Sequence, residues 1–303
     1  MDEKEEKMSD IKLFNISGKV REYQSSTVTL EKELQTIIEN NMEAFFGVTF
    51  LATEYRTTDG GRMDSIGIDE NHCPVIFEYK RSVKDNVINQ GLFYLNWLLD
   101  HKDSFKILVI EKLGLKDSEN IDWTMPRVIC IAGDFTKYDE SAIKQMNRNI
   151  SLIRYKKFGD NLLMFEQINE NVATAESNVD VTRGKATGKS FEEHKKEASS
   201  ETLTLYEDLR NYVLSLGDDV TENQLKFYVA FKKIKNIICV EIFHNRLVLH
   251  LKLNVHTVDY EEGFTRDTSN IGHYATGDVE VIIKNHEDYE KAKMLIDRAY
   301  EEN

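Results

Sequence analysis

The sequence has little cysteine, no apolar run approaching bilayer length and no excess of positive charge, and each shortage excludes something. With three cysteines and no C-x-x-C pair, neither a disulfide framework nor a structural zinc site is expected, which suits a reducing compartment. Cys130 and Cys239 sit in apolar runs as small hydrophobes, and Cys73 is isolated in a turn. The first residues, Met1 to Lys7, are charged and lack the apolar segment of a signal peptide, so a cytoplasmic location with no membrane partner is expected. A net charge of −14 argues against indiscriminate coating of DNA. Any nucleic-acid contact has to come from local basic groups. Lys80, Arg81 and Lys84 form one such group. Arg148, Arg154, Lys156 and Lys157 form a second, better read as a solvated face.

What is present points to two folded units. At 303 residues, with 41% hydrophobic and 30% charged residues, the chain is long enough for two cores with extensive solvated faces. Composition changes near residue 170. Residues 1–170 read as one α/β unit, 171–200 as a polar linker or exposed helix, and 201–303 as a smaller α+β module. Within the linker, Gly188-Lys189-Ser190 ends like a phosphate-binding loop. The glycine such a loop needs five residues earlier is Arg183, and no apolar strand precedes it, so that reading is rejected.

In the first unit, Ile11 to Tyr23 reads as a short strand pair around Ser17-Gly18, and Thr29 to Phe46 as one amphipathic helix capped by Thr29. At about 100° per residue, Glu31 falls on the arc of Leu34, Ile38 and Met42, whereas Glu33 points away from it. Strands are predicted over Val48–Tyr55, Arg62–Ile68 and Pro74–Lys80, with a turn at Glu70-Asn71-His72. Asn86 to Leu99 is helix-like. Phe105–Ile110 and Val128–Ala132 read as buried strands, Glu140–Asn147 as a helix, and Ile150–Tyr155 and Leu162–Ile168 as two closing runs. In the second unit, a helix carrying Leu203 to Val213 precedes strands at Lys226–Lys232, Asn236–Phe243 and Arg246–Leu253. A polar loop at Thr265–His273, a strand at Val279–Ile283 and a terminal helix follow. Arg266, Asp267, His273 and Asp278 crowd that loop and read as a hydrogen-bond network or a ligand site.

The chemistry concentrates in the central hairpin. Asp64, Ile66 and Ile68 share one strand face; Glu78 and Lys80 share one face of the next strand, and Tyr79 offers its backbone carbonyl between them. Two carboxylates and an ammonium then converge, in the pattern D…E-x-K. The stretch resembles the PD-(D/E)xK phosphodiesterases. One turn apart on the following helix, Gln90 and Tyr94 resemble the Q-x-x-x-Y motif of the RecB-like branch. The resemblance implies a restriction-endonuclease-like mixed sheet flanked by helices. It also implies a Mg²⁺-dependent DNA endonuclease, with Mn²⁺ as a substitute metal, in repair or defence. Asp64, Glu78 and Lys80 would be catalytic; Glu31, Asp64, Glu78 and the Tyr79 carbonyl would hold the metal. Lys80, Arg81, Lys84, Gln90 and Tyr94 would contact nucleic acid. The motif does not distinguish DNA from RNA, and a homodimer is compatible with it.

The whole chain is also similar to uncharacterised bacterial proteins that join a nuclease-like domain to this C-terminal module and are sometimes labelled predicted transport proteins. Asn86 to Tyr94 and Ser269 to His273 carry that similarity. The rival expectation is a noncatalytic interaction protein that keeps the nuclease fold, its C-terminal module binding a protein or a ligand.

Overall fold

Alternating and near-continuous apolar runs make up most of this chain, and they assemble into two sheets. The computed structural model describes residues 11–26, 31–80, 87–172, 188–271 and 275–303. In the first unit the elements are β1 (Leu13–Asn15), β2 (Arg21–Tyr23), β3 (Ser25–Ser26), α1 (Glu31–Glu39), α2 (Met42–Phe46), β4 (Val48–Arg56), β5 (Arg62–Asp69) and β6 (Pro74–Lys80). These are followed by α3 (Val87–Asp100), α4 (Lys102–Leu113), α5 (Leu115–Glu119), β7 (Arg127–Ala132), α6 (Lys137–Ile143), β8 (Asn149–Phe158) and β9 (Leu162–Asn171).

β4, β5 and β6 form an antiparallel meander, β6, β7 and β8 run parallel through helical crossovers, and β9 returns antiparallel on β8. The result is a mixed sheet with helices on both faces. Because side chains alternate, Val75, Phe77 and Tyr79 of β6 pack beneath Leu34 and Ile38 of α1, while Ile76 packs with Val128 beneath α3. Each face is a separate apolar core, and β6 is the buried strand that both share.

Three expectations for this unit need correction. Phe105–Ile110 is not a strand; it lies inside α4. The buried residues Phe105, Leu108 and Val109 recur at helical spacing, and Ile107 and Ile110 face outward. A short apolar run does not reveal its own period when the polar positions of the face are also apolar. The helix expected over Thr29–Phe46 is two helices. Thr29 lies outside the described residues, and the break falls at Asn40-Asn41, where the Asn41 side-chain amide donates to the Ile37 carbonyl at 2.8 Å and competes with the helical ladder. The helix expected over Glu140–Asn147 begins earlier, at Lys137, because Thr136 and Asp139 form a capping box.

The second unit comprises α7 (Phe191–Glu197), α8 (Ser200–Ser215), β10 (Thr221–Gln224), β11 (Val229–Lys232), β12 (Asn236–Phe243), β13 (Arg246–Leu251), β14 (Thr265–Asp267), β15 (Val279–Ile283) and α9 (His286–Glu302). Its six strands form an antiparallel sheet in the order β10-β11-β12-β13-β15-β14. Thr265–Asp267, expected within a polar loop, is therefore an edge strand paired with β15. One sheet face, including Val240, Leu249 and Val281, is buried under α8 and α9. α7 falls in the stretch expected to be a linker or exposed helix; its Phe191 is buried in this same core.

The two units meet at the β5–β6 turn. Asn71 of that turn accepts hydrogen bonds from Tyr228 Oη at 2.9 Å and Asn236 Nδ2 at 2.6 Å. Glu70 accepts from the Asn236 backbone N–H and from Lys252 Nζ, each at 2.6 Å. Cys73, Tyr228 and Cys239 are buried together in a small apolar cluster beside this network. A second polar link joins Lys232 to Glu170 at 2.6 Å. The end of the hairpin opposite to Asp64 and Glu78 is thus clamped by the C-terminal sheet.

Candidate active site

The backbone ladder between β5 and β6 runs from Ile68↔Pro74 to Ser65↔Phe77 and then opens. Beyond it, two carboxylates take over the bonding. The Asp64 N–H donates to Glu78 Oε1 at 3.3 Å, and the Tyr79 N–H donates to Asp64 Oδ2 at 3.0 Å. On the other side of β5, Thr53 pairs with Ser65 and Tyr55 with Met63, but Glu54 between them has φ +48°. Asp64 therefore sits where the sheet is irregular toward both neighbours. A non-glycine residue in the left-handed region is strained, and such residues concentrate where a backbone has been bent for a purpose.

Burial makes this pair chemically unusual. Glu78 is 0% exposed, and among the described residues no N–H or O–H donor reaches its Oε2 atom. A buried carboxylate oxygen without a donor is costly unless the group is protonated or meets a cation. Burial, and then the neighbouring Asp64 charge, push the Glu78 carboxyl up to about 9. Burial also raises Asp64, against the opposing pull of the Tyr79 N–H and of Lys80. Without a metal, burial and the Asp64 charge favour the protonated form of Glu78 at neutral pH. The same oxygen would be available as a ligand to a divalent cation, so the donor set fits a hard metal.

Lys80, at the open end of β6, is mostly buried and lies 3.9 Å from Glu31 Oε1 at the start of α1. Glu33 is exposed and lies 3.5 Å from Lys157. Among the described residues, no group of three or more His, Cys, Asp or Glu side chains is gathered closely enough to hold a metal by itself. The carboxylate core is thus the Asp64–Glu78 pair, with Glu31 against Lys80. On α3, Tyr94 Oη accepts from the Arg62 N–H at 3.1 Å and lies 3.5 Å from Gln90 Nε2. Gly61 makes room for that ring: a Cβ there would stand 2.7 Å from Tyr94 Cε1. The Gln-Tyr pair thus fixes the start of β5, two residues before Asp64. Arg81 and Lys84 lie outside the described residues.

The motif did not reveal the support beneath the site. Gln35 of α1 is buried and donates to the Asp64 carbonyl at 2.8 Å. It also donates to Glu39 Oε1 at 2.8 Å, which in turn accepts from Ser65 Oγ at 2.6 Å. Tyr79 Oη closes the chain by donating to Ser65 Oγ at 3.1 Å. The available signal was position: Gln35 is a polar residue beside Leu34 on the buried side of α1, and Ser65 alternates with Asp64 on a buried strand.

Of the second basic group, Arg154 is buried between Asp134 and Glu166, and Lys157 is paired with Glu33, so much of its charge is neutralised locally. In the C-terminal loop, Arg266 pairs with Glu280 at 2.7 Å and Asp267 accepts from the Ser269 N–H at 2.8 Å. The Asp278 carbonyl accepts from Thr268 Oγ1 at 3.0 Å, and His273 lies outside the described residues.

Fold and site together define a mixed α/β protein with a carboxylate–lysine hairpin and a separate antiparallel-sheet unit. Residues 191–303 match a family model described as "Domain of unknown function (DUF5655)". An uncharacterized protein of Haemophilus influenzae is 27% identical over 292 residues, spanning 93% of this chain and 96% of that one. Two solved structures are similar to part of the chain, each at 20% identity over 43% of it: a repair endonuclease from Pyrococcus abyssi (TM-score 0.29) and an EndoMS–dsDNA2 complex (TM-score 0.26). The chain matches about half the length of each, 49% and 47%. Among the described residues, no helix is long and apolar enough to cross a membrane.

Proposed function

We propose that this chain is a Mg²⁺-dependent endonuclease that hydrolyses phosphodiester bonds in DNA. One observation carries the reading: the buried Glu78 Oε2 atom, without a donor among the described residues, beside Asp64 at the point where the β5–β6 ladder opens. Asp64, Glu78 and the Tyr79 carbonyl would hold the ion, which supplies an acidified water and positive charge against the phosphate oxygens. Lys80, as an ammonium, would orient the attacking water and stabilise charge on the phosphate. Glu31, 3.9 Å away, holds that ammonium in place and adds a third acid to the site. Tyr94 and Gln90 hold the start of β5, and nucleic acid approaches over Lys80.

The test is cleavage of single-stranded, duplex, branched and mismatched DNA, and of RNA, in Mg²⁺ or Mn²⁺ with a chelator control. Chelator-sensitive cleavage of DNA is the expected result. Lys80→Ala should retain metal binding in calorimetry yet lose about 10²-fold or more in turnover, as expected when a donor to charge developing in the transition state is removed. Loss of metal binding with intact folding would contradict that role.

The two acids of α1 separate by partner. Glu31→Gln removes the carboxylate facing Lys80 and should slow cleavage by about 10- to 100-fold, as expected for a group that orients a site residue. Glu33→Gln loses only an exposed pair with Lys157 and should stay near wild type. The reverse order of effects in single-turnover assays would reject the assignment of Glu31.

A second reading, a noncatalytic protein on the same fold, draws on the lack of a three-ligand cluster among the described residues. Absence of cleavage with every metal and substrate above would favour it.

A further inference from the structure

The C-terminal sheet has a second face, opposite the one that α8 and α9 bury. Side chains alternate along each strand, so while Val240, Leu249 and Val281 pack under α8 and α9, residues 241, 248, 250, 280, 282 and 284 line the opposite side. There they wall a cleft of about 650 Å³ between the sheet and the segment from Gly263 to Ile271. That volume lies within the roughly 300–1,000 Å³ common for small-molecule sites.

Pairing across the strands sorts this face into three bands. At one end, His250 stands opposite Glu280, which stands opposite Arg266. His250 and Glu280 are 2% and 5% exposed, and Glu241 lies 3.0 Å from His250 Nε2. Arg266 holds Glu280 Oε2 at 2.7 Å. Each ionised carboxylate has about four acceptor positions, so one such contact leaves capacity for a ligand N–H. In the middle, Val248 pairs with Ile282, whose backbone N–H donates to Phe264, giving an apolar floor with an aromatic ring at its margin. At the far end are two cations, Arg246 stacked 4.7 Å over the Phe243 ring and Lys284 near the Gly263 carbonyl.

Acceptors, an apolar middle and cations therefore succeed one another along the strands. From the Glu280 row to the Lys284 row is four residues, or about 13 Å at strand rise. A ligand that satisfies all three bands has N–H donors at one end, a flat apolar body, and an anion at the other. We propose that this cleft binds a nucleoside monophosphate, its base edge toward Glu241 and Glu280 and its phosphate between Arg246 and Lys284. The site is independent of Asp64 and Glu78. It adjoins the contact between the two units, because Cys239 pairs with His250 on the same sheet and packs with Cys73 of the β5–β6 turn.

The experiment is calorimetry on the full chain in chelator, with AMP, GMP, CMP and UMP, and with adenosine and inorganic phosphate as partial probes. At least one nucleotide should bind, and adenosine and phosphate should each bind at least about 10-fold more weakly than AMP or its best congener. Ile282→Trp, which fills the floor, and Lys284→Glu, an exposed rim change that spares the fold, should each weaken binding about 10-fold or more. Glu78→Gln should leave it unchanged. Failure of all four nucleotides to bind would overturn the proposal, as would binding that survives both cleft substitutions or depends on Glu78. Equal binding of phosphate alone would mean an adventitious anion contact and would overturn it as well.

Discussion

Glu78→Gln should abolish metal-dependent cleavage, by on the order of 10³-fold or about 4 kcal/mol of transition-state stabilisation, while making the metal-free protein more stable near pH 8. The two effects have one cause. The Glu78 carboxyl is buried beside Asp64, with no donor to its Oε2 atom among the described residues, and is pushed up to about 9, so the fold favours its neutral form. Its contribution to stability is fully present below the ordinary carboxylate range and is lost as pH rises toward 9. Glutamine has the shape of the acid, stays neutral, and can still accept from the Asp64 N–H where Oε1 now does at 3.3 Å. A packing residue would behave oppositely, losing stability along with activity. Thermal melts in chelator at pH 8, run beside cleavage assays, separate these outcomes, and wild-type turnover in the variant would reject the site.

Lys232→Met should destabilise the folded chain by about 3–5 kcal/mol, the cost of leaving a buried charge without its partner. Lys232 and Glu170 are 2.6 Å apart with side chains only 3% and 6% exposed. Burial alone would raise Glu170, but the pull of Lys232 prevails and holds its carboxyl below the ordinary range; at Lys232, burial prevails and lowers the ammonium. Ser151, Thr221 and Gln167 also donate to Glu170, at 3.0, 2.9 and 3.4 Å, so removing the lysine leaves a buried carboxylate with neutral hydrogen-bond donors and the more distant Arg127 charge in place of its ion-pair partner. Adding Glu170→Gln to Lys232→Met should recover most of the loss, since the buried charge goes with its partner. Urea denaturation of the two variants measures this. A loss under about 1 kcal/mol for Lys232→Met would show that water reaches the pair.

The contrast between these residues explains what could be read from the sequence. Asp64, Glu78 and Lys80 were legible because strand alternation fixes faces locally, and a hairpin joins the faces without long-range information. Glu31 and Glu33 separated by angle for the same reason, and the structure places the first against Lys80 and the second against Lys157. The period of α4 is hidden in the sequence because Ile107 and Ile110, although exposed, are apolar. The clamp on the hairpin was invisible because its partners are far apart in the chain: Asn71 and Asn236 are 165 residues apart. Gln35 and Glu39 gave no motif, since each acts through another residue and neither carries the charge pattern of the site. Cys73 read as an isolated turn residue, and only the second sheet gives it a buried neighbourhood.

The most direct test is Mn²⁺ binding by calorimetry as a function of pH, in wild type and in Glu78→Gln. A metal must displace the proton from Glu78, so affinity should climb by up to about tenfold per pH unit between about pH 6 and 9 and level off above it. At a concentration 100 times the dissociation constant, the ion should add about 2.7 kcal/mol to stability, a rise in melting temperature absent from Glu78→Gln. If Mn²⁺ binds with the same affinity across that pH range, or binds Glu78→Gln as it does wild type, the Asp64–Glu78 pair is not the metal site.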